Sequence, residues 1–306
     1  MPENTKWAFI INPIAGNGYA KKFATKVQEK AEQHGLVYTL VFTERKGHAI
    51  ELARNLAGSG YTNIIAVGGD GTMNETITGI MDQPVTFGAI PAGTGNDFVP
   101  ILGFHERFTD DDWDEFFKVT TTLMDVGVCN GHYFVNGMGL GFDAQVAAEN
   151  YKNGQVKKGY PGKYLWHIIK TLLFFQEKPM TIISGKDEIS ARCFINTIGI
   201  GRRFGGGYFL TPKAIANDGL FDILHVEKLT FSERFNIFDK VKKGVHLQDP
   251  KVQYYTTDKL LIQFNETVPY HLDGEMFYGD RFIINILPAK IKTIYNSTGA
   301  HYLKIV

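Results

Sequence analysis

The stretch NIIAVGGDGTMNETITGI, Asn63–Ile80, decides the fold of the first part of the chain. Ile64–Val67 is short, aliphatic and unbroken, the pattern of a buried strand. Thr72-Met73-Asn74-Glu75 has a threonine with a glutamate three residues on, the capping-box signature of a helix start. Gly68–Gly71 is then a tight strand-to-helix turn. Its glycines permit positive φ and let a ligand approach the main chain. The helix N-terminus behind them suits phosphate. Asp70 sits inside this turn and would repel a bare phosphate. It makes chemical sense if Mg²⁺ lies between the two, or if it accepts a hydrogen bond from a hydroxyl. The bland alternative is a glycine turn with a solvated aspartate.

The same alternation extends on both sides. Trp7–Ile11 reads as a strand ending in NPIAGNG (Asn12–Gly18), followed by an amphipathic helix over about Ala20–His34. Val37–Thr43 is the next strand, and Glu44–Ala57 is mostly helix. After the Gly68 turn a helix runs to about Met81. Val85–Pro91 is a further strand, and AGTGNDF (Ala92–Phe98) follows it. Strand and helix in this order predict an α/β domain with a mainly parallel sheet. Ligands of such sheets bind beyond the carboxyl ends of the strands, where NPIAGNG, Thr43, GGDGT and AGTGNDF all fall.

Near Met124 the pattern changes. HYFVNGMGLGF, MTIISG, ARCFINTIGIG, LFDILHVEK, LLIQF and RFIINIL read as a second, strand-rich domain, interrupted by the helix-like GKYLWHIIKTLLFF (Gly162–Phe175). That segment is apolar nearly all round, as a core helix is. That favours the core reading; its aromatics beside Lys163 and Lys170 offer the alternative of an interfacial helix.

Composition narrows the function classes. The 306 residues suit two domains. Basic and acidic residues balance at 32 each, without the basic excess that marks a nucleic-acid binder. Cys129 and Cys193 have no metal-ligand spacing and form no disulfide framework, which suggests a reduced, cytoplasmic setting. The apolar run before Asn12-Pro13 is too short for a signal peptide core and reads as the first strand. No apolar stretch approaches the roughly 20 residues that span a bilayer. The sequons at Asn74, Asn265 and Asn296 carry no weight without a secretion signal.

Among the remaining motifs, GLGFDA (Gly139–Ala144) matches the dinucleotide fingerprint in letters only, with no strand-borne acid about 20 residues on. The nine histidines show no metal-ligand cluster, and His48 at a helix start reads as structural. GTGND (Gly93–Asp97) repeats the logic of the Asp70 turn, with Thr94 able to bond a phosphate and Asp97 able to hold a metal-bound water or position Asp70. A simple turn or cap explains Asn96-Asp97 as well. Asp273-Gly274, in HLDGEMF (His271–Phe277), reads by itself as a hairpin turn.

Taken in order, these segments resemble the diacylglycerol kinase family of bacterial lipid kinases, whose catalytic domain is shared with sphingosine and ceramide kinases. The resemblance spans nearly the whole chain. It rests on NPIAGNG at Asn12, Thr43 with Gly47-His48-Ala49, GGDGTMNE at Gly68 and PAGTGNDF at Pro91. It continues through GLGFDA at Gly139, GGGYFLTPKAIANDGLFDI from Gly205 and LDGE at Leu272. It implies a nucleotide-binding α/β domain over 1–124, with the tail 288–306 packing back on it, and a β-sandwich-like lipid-substrate domain over 125–287.

The resemblance also implies roles. ATP would be held by Asn12, Pro13, Ile14, Ala15, Gly16, Thr43, Gly68, Gly69, Asp70, Gly71, Thr72, Met73, Asn74 and Thr94. Asp70 and Asp97 would organise Mg²⁺ and its waters. Asp273 would take the proton of the lipid hydroxyl, with Glu275 nearby. A second, structural Mg²⁺ would use the Asp218 carboxylate and the carbonyls of Ile215 and Leu220. This chain has Asn217-Asp218-Gly219 where Asp-Asp-Gly is common, so one acid is missing there. Val99-Pro100 likewise replaces the Ala-Arg that follows NDF in many relatives. Phosphoryl transfer asks mainly for positioning and charge neutralisation. A carboxylate of ordinary pKa, about 4, serves as base only if it takes the proton late.

The expected partners are ATP and a lipid at a membrane surface, reached by transient peripheral contact at the inner face. No nucleic acid is expected, and a homodimer is an open arrangement. Two other readings compete: an NAD kinase-like nucleotide kinase, which shares GGDGT but not TGNDF or LDGE, and a non-catalytic lipid or nucleotide sensor of the same fold.

Overall fold

A computed structural model describes residues 5–152, 155–156, 169–185 and 187–305. The chain divides into two compact units. The first comprises Met1–Val126, Ala216–Asp218 and Pro288–Val306; the second comprises Gly127–Ile215 and Gly219–Leu287.

The first unit is an α/β sheet with helices. Its strands are β1 (Lys6–Ile11), β2 (Val37–Phe42), β3 (Asn63–Gly68) and β4 (Thr86–Pro91), and its helices α1 (Ala15–Gln33), α2 (His48–Gly58), α3 (Asp70–Ile80) and α4 (Asp110–Phe117). The order β2-β1-β3-β4 is parallel throughout, with Phe9 opposite Ile65 and Ile65 opposite Gly88. β3 and β4 are buried along their whole length, and β1 beyond its first residue. Continuous apolar strands of this kind must be covered on both faces. Trp7, Phe9, Trp113, Phe116 and Phe117 pack one another beneath β1 and α4. α2 and α3 approach closely because Gly79 has no side chain; a Cβ there would lie 2.5 Å from the Ile50 carbonyl.

The C-terminal residues of the chain complete this unit. Lys292 and Thr293 run parallel to Thr86 and Phe87 of β4. The main-chain N–H groups of Asn296 and Tyr302 donate to Leu102 and Ile101. Gly299 packs so tightly against the Gly103 carbonyl that a Cβ would overlap it.

The second unit is antiparallel and matches a β-sandwich. β7 (Gly137–Gly141) lies between β11 (Asp187–Gly199) and β14 (Lys259–Leu272), while β10 (Pro179–Ser184) pairs with other stretches of those two strands. β12 (Phe221–Glu227) and β13 (Val252–Thr257) extend the sheet beyond β11, and β15 (Glu275–Ile294) extends it beyond β14. The end of β5 (Thr121–Cys129), a strand that belongs to the first unit up to Val126, pairs with β6 (His132–Phe134), and β8 (Tyr151–Lys152) pairs with β9 (Gln155–Val156). Register shifts at Cys193/Ile195 and Gln263/Val268 let the long strands change partners along their length. α5 (Phe142–Asn150) and α6 (Phe231–Lys243) cover a core of Phe142, Phe194, Leu224, Val226, Ile237 and Val241.

Three local expectations change. α3 begins at Asp70, two residues before the expected threonine cap, with Gly69 as a cap that has no side chain. Glu75 therefore does not close a capping box. Its carboxylate instead accepts the N–H groups of Gly47 (2.9 Å) and Ala49 (3.3 Å), capping α2 from the neighbouring helix. α1 begins at Ala15 rather than Ala20, with a left-handed run at Gly16–Gly18 before the regular helix. Of the helix expected at Gly162–Phe175, residues 162–168 lie outside the described residues. Positions 169–174 are helical, with Leu172 buried and Phe174 exposed.

Candidate active site

Four loops of the first unit leave the carboxyl ends of neighbouring parallel strands. The β1–α1 loop is tied to α3: Asn12 Nδ2 donates to Thr72 Oγ1 (3.1 Å), and Asn12 Oδ1 accepts the Ile14 N–H (3.3 Å). Gly16 holds φ +59°, and a Cβ there would stand 2.5 Å from the Ala92 carbonyl oxygen. Thr43, buried at the end of β2, donates its N–H to the Ile11 carbonyl. The β3 and β4 turns press main chain against main chain. A Cβ on Gly93 would lie 2.3 Å from the Gly69 Cα, so only glycine fits. The sequence-predicted residues Asn12–Gly16, Gly68–Thr72 and Thr94 thus share one end of one sheet. Met73 brings no side chain to that end, since it is fully buried, and its N–H already donates to the Gly69 carbonyl (3.1 Å).

Asp70 is not a solvated turn residue. Its carboxylate accepts the N–H groups of Asp97 (3.2 Å) and Phe98 (3.0 Å), so the first glycine turn orients the second. Asp97 is buried beside it. Two residues that no motif reading singled out for a role complete the second turn. Asn96 Oδ1 accepts the Gly93 N–H (3.0 Å), and Asn96 Nδ2 donates to the Glu106 carbonyl (3.0 Å). Arg107 donates to the Gly93 carbonyl (2.7 Å) and lies over the Tyr19 ring. Asn96 stood in the quoted motif, where a turn explained it; Arg107 lies in no motif and only the folded loop reveals it.

The donor set fits a nucleotide phosphate chain. It offers two glycine-walled turns, the N-terminal end of α3 and open space beside Gly71, where a Cβ would meet nothing within 4 Å. Among the described residues no group of three or more His, Cys, Asp or Glu converges. A Mg²⁺ at Asp70 and Asp97 would complete its oxygen shell from phosphate and water, which is that ion's habit. In the 215–220 loop, Asn217 Nδ2 donates to the Lys304 carbonyl (3.0 Å) and its Oδ1 accepts the Lys304 N–H (2.7 Å). The residue standing in place of the second acid is thereby spent on the C-terminal segment. Asp218 is the loop's one carboxylate, and Ile215 and Leu220 belong to the other unit.

In the second unit, Asp273-Gly274 is the two-residue turn joining β14 to β15, with Leu272 opposite Glu275. Both turn residues have positive φ, +48° and +84°, as a type I′ hairpin requires. The hairpin reading holds, and Asp273 has a second task. Its Oδ2 accepts the N–H of Val135 (2.7 Å), and its Oδ1 those of Asn136 (2.9 Å) and Gly137 (2.8 Å). Three main-chain donors fix the carboxylate's direction.

GLGFDA is strand β7 running into α5, not a phosphate loop. Gly137 and Gly139 lack side chains because Phe204, and Asp143 with His271, occupy the space above them. His48 is structural: its Nδ1 accepts the Glu44 N–H (3.1 Å). Burial pushes the Cys129 thiol up to about 12, which leaves it protonated and unreactive.

A parallel α/β unit with paired glycine turns and an antiparallel sandwich with an aspartate-glycine hairpin make up the two units. Comparison with known proteins gives the family. Residues 6–129 match the diacylglycerol kinase catalytic domain, and residues 138–295 match the YegS C-terminal NAD kinase beta sandwich-like domain. The chain is 30% identical over 292 residues to a diacylglycerol kinase of Staphylococcus haemolyticus, covering 92% of this chain and 84% of that protein. It is 27% identical over 290 residues to the Bacillus subtilis diacylglycerol kinase, covering 94% and 92%. A crystal structure of a diacylglycerol kinase from Bacillus anthracis superposes with a TM-score of 0.75 at 20% identity, over 98% of this chain and 99% of that one, and shows the shared fold. The chain belongs to the diacylglycerol kinase family.

Proposed function

We propose that this protein transfers the γ-phosphate of ATP to a hydroxyl of diacylglycerol or a related lipid, with Mg²⁺. The observation that carries the reading is the contact of the two glycine turns at Gly69 and Gly93, locked by the Asp70 carboxylate on Asp97 and Phe98. That geometry presents main-chain surface and carboxylates at one end of a parallel sheet, as a phosphate chain with a cation demands. When bound, Mg²⁺ supplies charge neutralisation at the phosphate oxygens.

The chain's own residues do the rest. Asn12–Gly16, Thr43, Gly68–Asn74 and Thr94 bind and orient the phosphates, and Asp70 and Asp97 hold the cation and its waters. Asp273, oriented by Val135, Asn136 and Gly137, accepts the proton of the lipid hydroxyl on its carboxylate, with Glu275 beside the turn. The acceptor resides in a bilayer, and no helix among the described residues is long and apolar enough to cross one. The enzyme therefore meets its substrate by transient contact with a membrane surface.

One observation favours a second reading, nucleotide phosphorylation: the sandwich unit matches a domain named for its likeness to NAD kinase. The test is product formation from ATP and Mg²⁺ with mixed micelles of diacylglycerol in one arm and NAD in the other. A phosphorylated lipid supports the proposal. Phosphorylation of NAD alone replaces it, and ATP binding without turnover on either acceptor points to a sensor.

A further inference from the structure

Buried His271 and half-buried Asp143 are polar groups of the second unit that the proposed chemistry does not use. His271 Nε2 lies 3.3 Å from Asp143 Oδ2, and Asp143 Oδ1 accepts the Ala144 N–H (2.9 Å) in the first turn of α5. The two side chains are 10% and 17% exposed. They share the space above Gly139, where a Cβ would fall 2.2 Å from each. With a carboxylate at Nε2, that nitrogen carries the ring proton. Thr197 stands opposite Gly139 on the other side of β7. Its Oγ1 and the His271 Nδ1 are both buried without a partner among the described residues. Packing alone does not account for so many polar atoms here, because an apolar cluster of the same volume would avoid their desolvation.

The register shows what the pair controls. His271 lies in β14 opposite Gly139, and two residues on Asp273 opens the hairpin turn, its N–H donating to the Gly137 carbonyl (2.9 Å). Across from them β7 offers Gly139 and Gly137, neither with a side chain to hold it in place. The His271–Asp143 contact closes over the first glycine, and the Asp273 carboxylate grips the N–H of the second.

We propose that Asp143 and His271 form a positioning pair that ties α5 to β14 over Gly139 and thereby sets the carboxylate of Asp273. The inference rests on the lipid-kinase reading for its catalytic consequence, but its structural half can be measured without activity. The variants are His271→Ala, Asp143→Ala and His271→Gln; Gln keeps an N–H donor near the position of Nε2. The first readout is amide hydrogen exchange at Val135, Asn136 and Gly137. The second is steady-state lipid phosphorylation, with ATP affinity measured in parallel.

Exchange at those three amides should accelerate in both Ala variants and return to the wild-type rate in His271→Gln. Lipid kcat should fall by about tenfold or more in the Ala variants, with ATP affinity unchanged, because small misplacements of a reacting group are costly. His271→Gln should recover most of it. Should His271→Ala not fold, Asp143→Ala, which keeps the ring and removes the acceptor, carries the same two measurements. Unchanged exchange at Val135–Gly137, or a Gln variant as impaired as Ala in both readouts, overturns the proposal. A wild-type enzyme that phosphorylates no lipid while exchange responds as expected removes the lipid-kinase reading and leaves the positioning pair standing.

Discussion

The carboxylate of Asp70 accepts the main-chain N–H of Phe98 at 3.0 Å, 28 residues away in the chain. With the parallel bond from the Asp97 N–H, this fixes the spacing of two glycine turns whose backbones already touch at Gly69 and Gly93. An acid inside a phosphate-type loop thus has a structural task before any metal is considered.

Asp70→Asn separates the two tasks. Asn keeps one acceptor oxygen and turns its amide toward a main-chain N–H, so one bond is lost at a cost of about 1–3 kcal/mol. Turnover of ATP should fall by about a hundredfold or more, since charge organisation at the phosphates is lost as well. Thermal unfolding and ATP turnover measured together check both. Near wild-type turnover would remove Asp70 from the site.

Gly93→Ala tests the close approach. The added Cβ would stand 2.3 Å from the Gly69 Cα and 2.8 Å from the Gly95 carbonyl oxygen, and neither atom can swing aside. Overpacking of this kind costs about 1–3 kcal/mol, and ATP affinity should drop with it. Gly58→Ala at the end of α2 meets nothing within 4 Å and serves as the neutral control. Equal ATP affinities in calorimetry for the two variants would mean that the turns do not form the nucleotide site.

Asp273→Asn should abolish lipid phosphorylation while ATP binding persists, because the proposed ATP-binding residues all belong to the first unit. Asn also tolerates the φ of +48° at this position. Asp273→Ala leaves three main-chain donors unmet, each worth about 1–3 kcal/mol when buried, and should lower the melting temperature as well. Retained lipid phosphorylation in Asp273→Asn would assign the residue to the hairpin alone.

Glu233 supplies a pH test. It accepts from the Thr230 N–H and hydroxyl, both at 2.7 Å, and meets Lys251 at 3.0 Å; the Thr230 contacts lead in holding its carboxyl down to about 2. A carboxyl depressed on folding contributes stability above its unfolded pKa of about 4.3 and loses it as pH falls toward 2. Wild type should therefore be more stable than Glu233→Gln at pH 7, with the difference shrinking between about pH 5 and 2. Denaturant midpoints across that range check it; a constant difference would contradict the charge-assisted cap.

Much of the first unit was legible along the chain. The aliphatic run Ile64–Val67 read as a buried strand because a strand covered on both faces favours apolar residues at every position, and Val85–Pro91 read as a further strand. The turns after them carried their glycines openly. The second unit was legible as strands but not as pairings, since β11 and β14 change partners at irregularities that alternation does not encode. Within the site, Asp70 and Asp97 stood out by type and position, whereas Asp273 read by itself as a hairpin turn and drew its role only from the family resemblance. Arg107 and the hold of Glu75 on the start of α2 did not stand out.

The sequence alone determined where the polypeptide had to turn tightly and which turns carried carboxylates, because backbone freedom and charge are properties of the residues themselves. Tertiary structure decided what carboxylates hold: Asp70 the second glycine turn, Glu75 the start of α2, Asp273 the bend leading into β7 at Gly137, and Asp143 its histidine. Each of these bonds joins residues 26 or more positions apart. A buried main-chain N–H takes whichever acceptor the fold brings to it, and that neighbour exists only once the chain has closed.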